Sequence, residues 1–286
     1  MDEQRKVLKT WKSRPTLEGA GVHLKRAFGF YEVKELDPFL LLDDFHSTNP
    51  SDYEAGFPWH PHRGIETVTY MIGGKVKHKD SLGNSGVIGP GDVQWMTAGS
   101  GIIHEEMPQR TKGMLAGFQL WANLPASDKM MPPRYRGVES ADIPEVPLDG
   151  GARVKLICGK VNGTVGPVKE IVTDPEYLDV TVSSKAQFSH AIKKGYTAFA
   201  YVIEGKGYFD REATRLVEPE SIVLFGDGTS VAVRSSGQVV RFLLISGKPL
   251  REPVAWRGPI VMNTEEELEL AFEEYRIGTF LQQQHR

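Results

Sequence analysis

The segment from Phe57 to Pro108 carries two short pairs of metal-binding residue types, each set in a run with the character of a β-strand. The first pair is His60 and His62, and the second is His104 and Glu106. Residues two apart in an extended strand point to the same side, so each pair presents both side chains to one face. If the two strands lie side by side, three imidazoles and a carboxylate converge, which is a ligand set for iron, nickel, copper, zinc or manganese. The spacing therefore predicts a metal site.

Glu66 is a second candidate for the carboxylate ligand. It shares strand parity with His62, so it is able to act either as a ligand or as a hydrogen-bond acceptor behind one. A lone His-x-His pair has a simpler explanation as two ordinary polar side chains, but a second matching pair after a series of hairpin turns favours a metal. The residues by themselves leave the choice between Glu66 and Glu106 open.

Turn residues interrupt the chain at short intervals. It has 286 residues with 30 Gly and 18 Pro, and its second half repeats the strand-and-turn pattern of the first in runs such as RVKLICGKV, YLDVTVS and QVVRFLLISG. Short strands about eight to twelve residues apart, separated by Gly and Asp turns, are typical of all-β barrels and sandwiches. The length suits two domains, each able to bury a core. We therefore expect an all-β fold of two jelly-roll-like barrels in tandem.

The expected division has three parts. Residues 1–130 form an N-terminal metal-binding barrel, residues 131–150 a linker, and residues 151–286 a C-terminal barrel without a metal site. The linker is assigned because its sequence is rich in Pro and charge and shows no sustained period.

A C-terminal helix is expected over residues 264–277. Thr264 is a natural N-cap, and Glu267 stands at the capping-box position three residues later. Leu268 and Phe272 recur at helical spacing, so the helix should bury an apolar stripe against the outer face of a barrel.

Composition and charge exclude some classes of function. The chain has 34 Lys and Arg against 37 Asp and Glu, a net charge of −3, so direct nucleic-acid binding is not expected. No apolar leader opens the sequence and no window approaches about eighteen consecutive apolar residues, so no membrane association is expected. The one cysteine, Cys158, lies in an apolar run typical of a buried side chain. We expect a monomer in the cytoplasm, or in the nucleus if the source is a eukaryote.

Three other polar residues are interpreted separately. His78 lies in a charged, alternating run and is expected to be solvated. His190 has no partner two residues away, which favours a surface or capping role over a ligand. Arg63, next to His62, would either steer an anionic substrate or form a surface ion pair.

Longer stretches of the sequence resemble the pirin family of bicupins. They span nearly the whole chain and include HPHRGIETVTY, DVQWMTAGSGIIHEEMP, LDPFLLLDDF, QLWANLP, PLREPV and GPIVMNT. His60, His62, Glu66 and Gly73 match the first cupin motif at each spacing. The second motif is matched less well, because His104 falls two residues late.

The resemblance implies two cupin barrels with a metal in the N-terminal one only, held by His60, His62, His104 and Glu106. It thereby favours Glu106 over Glu66 as the carboxylate ligand. The implied metal is iron, as Fe(II), although nickel, manganese, zinc and copper suit the same ligands. Pirins resembling this chain are linked to quercetin 2,3-dioxygenase activity. Other members act as nuclear transcription cofactors, and some bacterial ones are associated with pyruvate metabolism.

The leading hypothesis is an enzyme, a mononuclear iron dioxygenase that opens the ring of a small aromatic substrate such as a flavonol. Glu106 is the candidate general base, with Glu66 or Glu105 as alternatives. The alternative class is a redox-sensing regulatory protein whose protein partner reads the state of the iron. A third hypothesis is a scaffold that the metal stabilises. Side chains that flank the ligands would either line an apolar mouth or belong to ordinary barrel core, namely Phe57, Trp59, Trp95, Met96 and Met107.

Overall fold

The computed structural model describes residues 3–210, 212 and 214–281 and is built mainly of β-strands. In the first half of the chain the strands are β1 (Val7–Lys12), β2 (Arg14–Glu18), β3 (Val22–Phe28), β4 (Phe39–Asp44), β5 (Phe57–His62), β6 (Ile65–Gly73), β7 (Lys75–Asp80), β8 (Ser85–Ile88), β9 (Val93–Thr97), β10 (Ile102–Gln109), β11 (Ala116–Asn123), β12 (Arg134–Val138) and β13 (Glu145–Leu148). In the second half they are β14 (Ala152–Cys158), β15 (Lys160–Val161), β16 (Thr164–Val165), β17 (Glu176–Val182), β18 (Gln187–Ala191), β19 (Thr197–Glu204), β20 (Gly207–Tyr208), β21 (Leu216–Val217), β22 (Ser221–Phe225), β23 (Ser230–Ser235), β24 (Val240–Gly247), β25 (Ala255–Arg257) and β26 (Ile260–Met262).

Helices are few. The α-helices are α1 (Val33–Leu36) and α2 (Glu265–Ile277), and single 3₁₀ turns occur at Phe30–Glu32, Pro50–Asp52, Ala126–Asp128 and Ser140–Asp142. Within the described residues, neither α-helix has the length and apolar character needed to cross a membrane. The all-β prediction with a C-terminal helix is confirmed.

The chain divides into two compact units, and each is assembled from two separate segments. The N-terminal unit contains the described residues of Pro15–Ser140 and Leu250–Arg286, and the C-terminal unit contains those of Met1–Arg14 and Ala141–Pro249. This division differs from the expected boundaries at both ends of the chain. The first strand, β1, pairs with β22 of the C-terminal unit, and the last helix packs on the N-terminal unit.

The N-terminal unit is formed by a seven-stranded sheet and a four-stranded sheet. The strand order is β12-β9-β6-β11-β4-β3-β2 in the larger sheet and β5-β10-β7-β8 in the smaller. Strand β4 reads FLLLDD and is buried at every position, as expected for an apolar run too short for a helix. One of the apolar clusters of this unit joins Ile65, Met96 and Ile102 to Val261 of the C-terminal strand β26.

The C-terminal unit repeats this arrangement. Its larger sheet has the order β1-β22-β19-β24-β17-β14-β13, and its smaller sheet has the order β18-β23-β20-β21. An apolar cluster in its core includes Val180, Phe242 and Leu244. His190 is half-buried, with Nε2 3.2 Å from a carboxylate oxygen of Glu176. Two sheets of seven and four strands in each unit explain why the two halves of the sequence share one pattern.

The expected linker, residues 131–150, contributes a strand to each unit. Strand β12 pairs with β9 at the edge of the N-terminal unit's large sheet, and β13 pairs with β14 at the edge of the other. Edge strands are partly exposed and often carry charge and proline, which removes the periodicity by which a strand is recognised in a sequence.

Helix α2 begins at the predicted cap. The Thr264 hydroxyl accepts a hydrogen bond from the amide of Glu267, whose carboxylate accepts one from the amide of Thr264. Leu268 is buried in a cluster with Ile260 and Phe280 that packs on Ile103 of β10. The helix therefore belongs to the N-terminal unit, although it lies beyond the C-terminal barrel in the sequence.

Candidate metal centre

Two neighbouring strands of the small sheet bring three of the four predicted ligands together, and among the described residues Glu106 is not part of that cluster. Strands β5 and β10 pair antiparallel with His104 opposite His60, and a register shift after His104 places Glu106 opposite Phe57. The ligand nitrogens of His60, His62 and His104 all lie within 4.8 Å of one another. The three imidazoles thus converge as the sequence predicts, in a cluster that could hold a metal ion.

The hydrogen bonds of His60 and His62 define which nitrogen of each ring faces the centre. His60 Nδ1 lies 2.8 Å from the Pro58 carbonyl oxygen, and His62 Nδ1 lies 3.0 Å from that of Pro259. A carbonyl oxygen accepts only, so each Nδ1 carries a proton and each Nε2 is the nitrogen that faces inward and is able to bind a metal. The two Nε2 atoms are 3.0 Å apart. Ligands about 2.1 Å from a common ion and at right angles to each other are also about 3.0 Å apart, so a metal ion fits this pair.

His104 completes the evidence that the residues suit a metal. Its side chain is buried, and neither ring nitrogen has a hydrogen-bond partner among the described residues. Buried polar atoms are rarely left without a partner, and a bound cation would supply one. Burial, followed by the neighbouring histidines, lowers the pKa of His104 well below its ordinary value, and burial with His60 does the same for the pKa of His62. Both rings are therefore held in the neutral form that binds metals.

The two candidate carboxylates have different surroundings. Glu106 is buried, lines the same cavity as His60 and His62, and accepts a hydrogen bond of 2.9 Å from the Thr69 hydroxyl. Glu66 is fully buried on β6 and accepts a hydrogen bond of 2.7 Å from the Thr97 hydroxyl. Burial raises the pKa of Glu66, with opposing contributions from hydrogen bonds and from nearby arginines.

The site opens into a cavity of about 610 Å³ in the N-terminal unit. This volume lies within the roughly 300–1,000 Å³ typical of small-molecule sites. Its wall is largely apolar and aromatic, with contributions from Phe30, Leu41, Phe45, Trp121 and Trp256. The arrangement suits a small, aromatic ligand.

A row of polar side chains crosses the wall on four adjacent strands of the large sheet. Thr69 lies opposite Gln119, Gln119 opposite Asp43, and Asp43 opposite Arg26. The Thr69 and Gln119 side chains are 2.7 Å apart, and the Arg26 guanidinium makes two hydrogen bonds of 2.7 and 2.8 Å to Asp43. Thr69 also contacts Glu106, so the row begins at the candidate ligand and continues along the cavity.

The five side chains expected at an apolar mouth or in the core are divided between several environments. Phe57 lines the cavity. Trp95 and Met96 are buried in the core, Trp59 is half exposed, and Met107 is half-buried. The sequence neighbours of the ligands therefore contribute little of the wall.

Sequence reasoning did not identify the two tryptophans of the aromatic wall, Trp121 and Trp256. The ring centroids of Trp121 and His62 are 5.0 Å apart in an edge-to-face arrangement, and those of Trp256 and Trp121 are 6.0 Å apart. Trp121 shares strand parity with Gln119, which also lines the cavity, so alternation on β11 would have pointed to it. No local signal marks Trp256, because it arrives from the distant C-terminal segment.

The interpretation of Arg63 as a substrate-steering or surface residue is wrong. Arg63 is 2% exposed, and its guanidinium donates to the carbonyl oxygens of Ser100 and Phe280 and to the Glu274 carboxylate. An isolated parallel bridge joins Arg63 to Ile260 of β26. Its role is to hold the C-terminal segment.

His78 is not solvated as expected. It is 1% exposed, stacks on Tyr135 with ring centroids 5.2 Å apart, and lies 3.3 Å from Asp80. The alternation of β7 places Val76, His78 and Asp80 on its inner face, so the charged neighbours that suggested solvent exposure lie on the other face.

Comparison with known proteins agrees with the fold. Residues 21–122 match the family model for Pirin, and residues 177–281 match that for the Pirin C-terminal cupin domain. A pirin-like protein of Caulobacter vibrioides is 46% identical over 277 residues, covering 96% of this chain and 99% of the relative. A Pseudomonas aeruginosa protein provisionally named as a quercetin 2,3-dioxygenase is 41% identical over 282 residues, covering 97% and 99%.

A solved structure shares the whole architecture. The crystal structure of quercetin 2,3-dioxygenase from Acinetobacter baumannii superimposes with a TM-score of 0.89 at 32% sequence identity, covering 97% of this chain and 98% of that one. Together with the two family matches, this confirms tandem cupin domains.

Proposed function

Because this chain belongs to the pirin family, we propose that it is a dioxygenase of the quercetin 2,3-dioxygenase type that works with a single Fe(II) in its N-terminal unit. The observation that carries the proposal is a cluster of three histidines, two of which, His60 and His62, line an apolar, aromatic cavity. The likeness to the Acinetobacter enzyme supports the same activity.

The proposed ligands are His60, His62, His104 and Glu106. Glu106 is preferred to Glu66 because it lines the cavity together with His60 and His62, whereas Glu66 is not among the described residues of that wall. Three neutral imidazoles and one carboxylate suit Fe(II), and they also suit nickel, manganese, zinc and copper. When bound, Fe(II) supplies the one-electron chemistry that dioxygen requires.

Glu106 is proposed as the general base as well as a ligand. A flavonol becomes electron-rich when its 3-hydroxyl loses a proton, and a carboxylate oxygen within hydrogen-bond reach can take that proton. Thr69 donates to Oε1 of Glu106 and so fixes the orientation of the carboxylate. Because the carboxylate is rigid, the same hydrogen bond also fixes the position of Oε2 of Glu106. Glu105, the alternative base, is half-buried, and its carboxylate lies 3.8 Å from the Lys79 ammonium.

The cavity favours a planar aromatic substrate that carries hydroxyl groups. Phe30, Trp121 and Trp256 provide ring faces and edges for stacking, and their apolar surface excludes water from the reacting atoms. The polar row from Thr69 to Arg26 offers amide and carboxylate groups that accept or donate hydrogen bonds to such hydroxyls.

Oxygen uptake after anaerobic reconstitution with Fe(II) tests the proposal. With quercetin and a small panel of flavonols and enediols, we expect sustained, substrate-dependent oxygen consumption and loss of the flavonol absorbance. The His104→Ala protein, which lacks a ligand, should show neither. Stoichiometric iron without turnover of any substrate in the panel would contradict the enzymatic proposal.

The second candidate is a regulatory protein whose partner reads the redox state of the iron. It is favoured by one observation, that Arg63 next to His62 is anchored to Glu274 of α2. Oxidation from Fe(II) to Fe(III) adds one unit of charge close to this arginine, which would bias the packing of α2. Affinity for a protein partner that differs between the Fe(II) and Fe(III) forms would support this function, and equal affinity would exclude it.

A further inference from the structure

We propose that the C-terminal segment, residues 255–280, positions the metal ligand His62 and thereby sets the affinity of the site for the metal. This inference rests on the proposed metal site but not on the substrate or on turnover. It treats Arg63, Glu274 and Phe280 as positioning residues that act through His62.

The direct contact is a hydrogen bond from His62 to the main chain of the segment. His62 Nδ1 donates to the Pro259 carbonyl oxygen at 3.0 Å, across 197 residues of sequence. A partner of this kind behind a metal-binding histidine determines which nitrogen is free and how the ring is oriented. If the segment moves away, His62 loses both constraints.

Arg63 anchors the segment immediately beside His62. Its Nη2 donates to the Phe280 carbonyl oxygen at 2.8 Å, its Nη1 donates to Glu274 at 2.6 Å, and its guanidinium carbon lies 4.2 Å from the centre of the Phe280 ring. Its own carbonyl oxygen accepts a hydrogen bond from the Val261 amide at 3.1 Å. The Arg63 side chain therefore contacts the C-terminal part of α2 and Phe280 beyond it, and the Arg63 main chain contacts β26.

Lys129 forms a second anchor. Its ammonium group donates to the carbonyl oxygens of Gly64 and Val261, both at 2.9 Å, and to the Asn123 side chain at 2.6 Å. When Lys129 is protonated, these three bonds use all three hydrogens of its ammonium group. They tie β26 to the turn that follows His62.

Two glycines make room for the segment. Gly64 has φ +77°, and a Cβ placed there would lie 2.0 Å from the Val261 carbonyl oxygen. A Cβ on Gly101 would lie 3.0 Å from the carbonyl oxygen of Phe280. Glycine at these two positions, next to the histidine strands, therefore allows the main chain of the segment to approach closely, in addition to allowing the local turn conformation.

Docking of the segment and loading of the metal must be reciprocally linked. If docking raises the affinity for the metal by some factor, metal binding stabilises docking by the same factor. The coupling can therefore be measured in two ways. One is the metal affinity of variants with weakened docking, and the other is the docking of the wild-type segment with and without metal, which needs no substitution.

Two pairs of variants separate positioning from general effects on the helix. Phe280→Ala removes the ring over Arg63, and Leu281→Ala is its control at the exposed neighbouring position. Glu274→Gln removes the charge that Arg63 contacts. Its control is Glu273→Gln, because Glu273 makes an exposed ion pair with Arg276 on the same helix.

The probe is Co(II), added to the full-length protein and titrated against a competing chelator. We expect Phe280→Ala and Glu274→Gln to bind Co(II) about tenfold more weakly or worse, as for other losses of support behind a metal ligand, and both controls to stay within about twofold of wild type. If Phe280 only contributed to the packing of the helix, its removal would leave the hydrogen bond of the His62 ring unchanged. We therefore also expect the shifted NMR resonance of the His62 Nδ1 proton, protected in wild type, to exchange rapidly with water in Phe280→Ala.

Hydrogen exchange of the wild-type protein supplies the reciprocal test. Co(II) should slow exchange at the Val261 amide, which donates to Arg63. Unchanged affinity in both test variants, or unchanged exchange at Val261 on metal loading, would overturn the inference. Failure of wild type to bind Co(II) would instead overturn the metal site on which it rests, and absence of dioxygenase turnover would affect neither measurement.

Discussion

The Nε2 atoms of His60 and His62 lie 3.0 Å apart, and each ring already donates its Nδ1 proton to a backbone carbonyl oxygen. In this arrangement the two Nε2 atoms face each other, and a cation between them is able to bind both. Metal binding should therefore stabilise the N-terminal unit in addition to serving chemistry.

Removal of the metal should lower thermal stability. A ligand present at a hundred times its dissociation constant stabilises a protein by about 2.7 kcal/mol. Calorimetry of Fe(II)-loaded and chelator-treated protein under anaerobic conditions should show a lower transition temperature after chelation. His104→Ala should show no such shift, whereas His190→Ala, altered in the other unit, should respond as wild type does. An equal response in His104→Ala would place the stabilising metal elsewhere.

Exchange of each candidate carboxylate should separate the ligand from its neighbour. Glu106→Gln removes a charged ligand and should greatly weaken Fe(II) binding, whereas Glu66→Gln should keep the metal. Metal content after anaerobic dialysis measures both. If Glu66→Gln loses iron and Glu106→Gln retains it, the assignment of the ligands is wrong.

Thr69 should matter because it orients Glu106. A hydrogen bond to a charged group contributes about 1.5–3 kcal/mol, so Thr69→Val should lower kcat/KM for a flavonol by about tenfold or more. Thr97→Val is a matched control, since its hydroxyl bonds instead to Glu66. Steady-state oxygen uptake compares them, and a larger loss in Thr97→Val would point to Glu66 as the functional carboxylate.

Lys129 should give the protein a measurable pH dependence of stability. Burial lowers the pKa of Lys129 from the usual 10.5 to about 7, against smaller opposing effects of Glu252 and Glu267. Between these two values the unfolded chain binds the proton and the folded chain does not, so the free energy of unfolding rises with pH. The slope attributable to this group is at most about 1.4 kcal/mol per pH unit.

The comparison is with Lys129→Met, which keeps the volume and removes the titration. Urea unfolding of both proteins at about pH 6, 8 and 9.5 should show the wild type gaining stability relative to the variant as the pH rises. Parallel pH profiles would mean that the lysine keeps its proton in the folded protein throughout.

Strand alternation accounts for most of what could be predicted. It places His60 with His62, and His104 with Glu106, on common faces, and these relations depend only on local geometry. The same rule, applied to β7, would have buried His78. The charged neighbours of His78 lie on the opposite, exposed face of that strand.

Contacts between distant segments account for what could not be predicted. Pro259 behind His62 and Trp256 in the cavity wall come from a segment almost two hundred residues further along the chain. A proline carbonyl has no sequence signature, because every residue has a carbonyl group. Likewise the pairing of β1 with β22 depends on which sheet edge is free, which no local pattern encodes.

Anomalous diffraction at the iron absorption edge, from crystals of the anaerobically loaded protein, tests the central claim most directly. The account predicts a single strong peak in contact with Nε2 of His60 and His62, a nitrogen of His104 and a carboxylate oxygen of Glu106. A peak that is bound to Glu66 in place of Glu106, or that lies away from the three histidines, would contradict it.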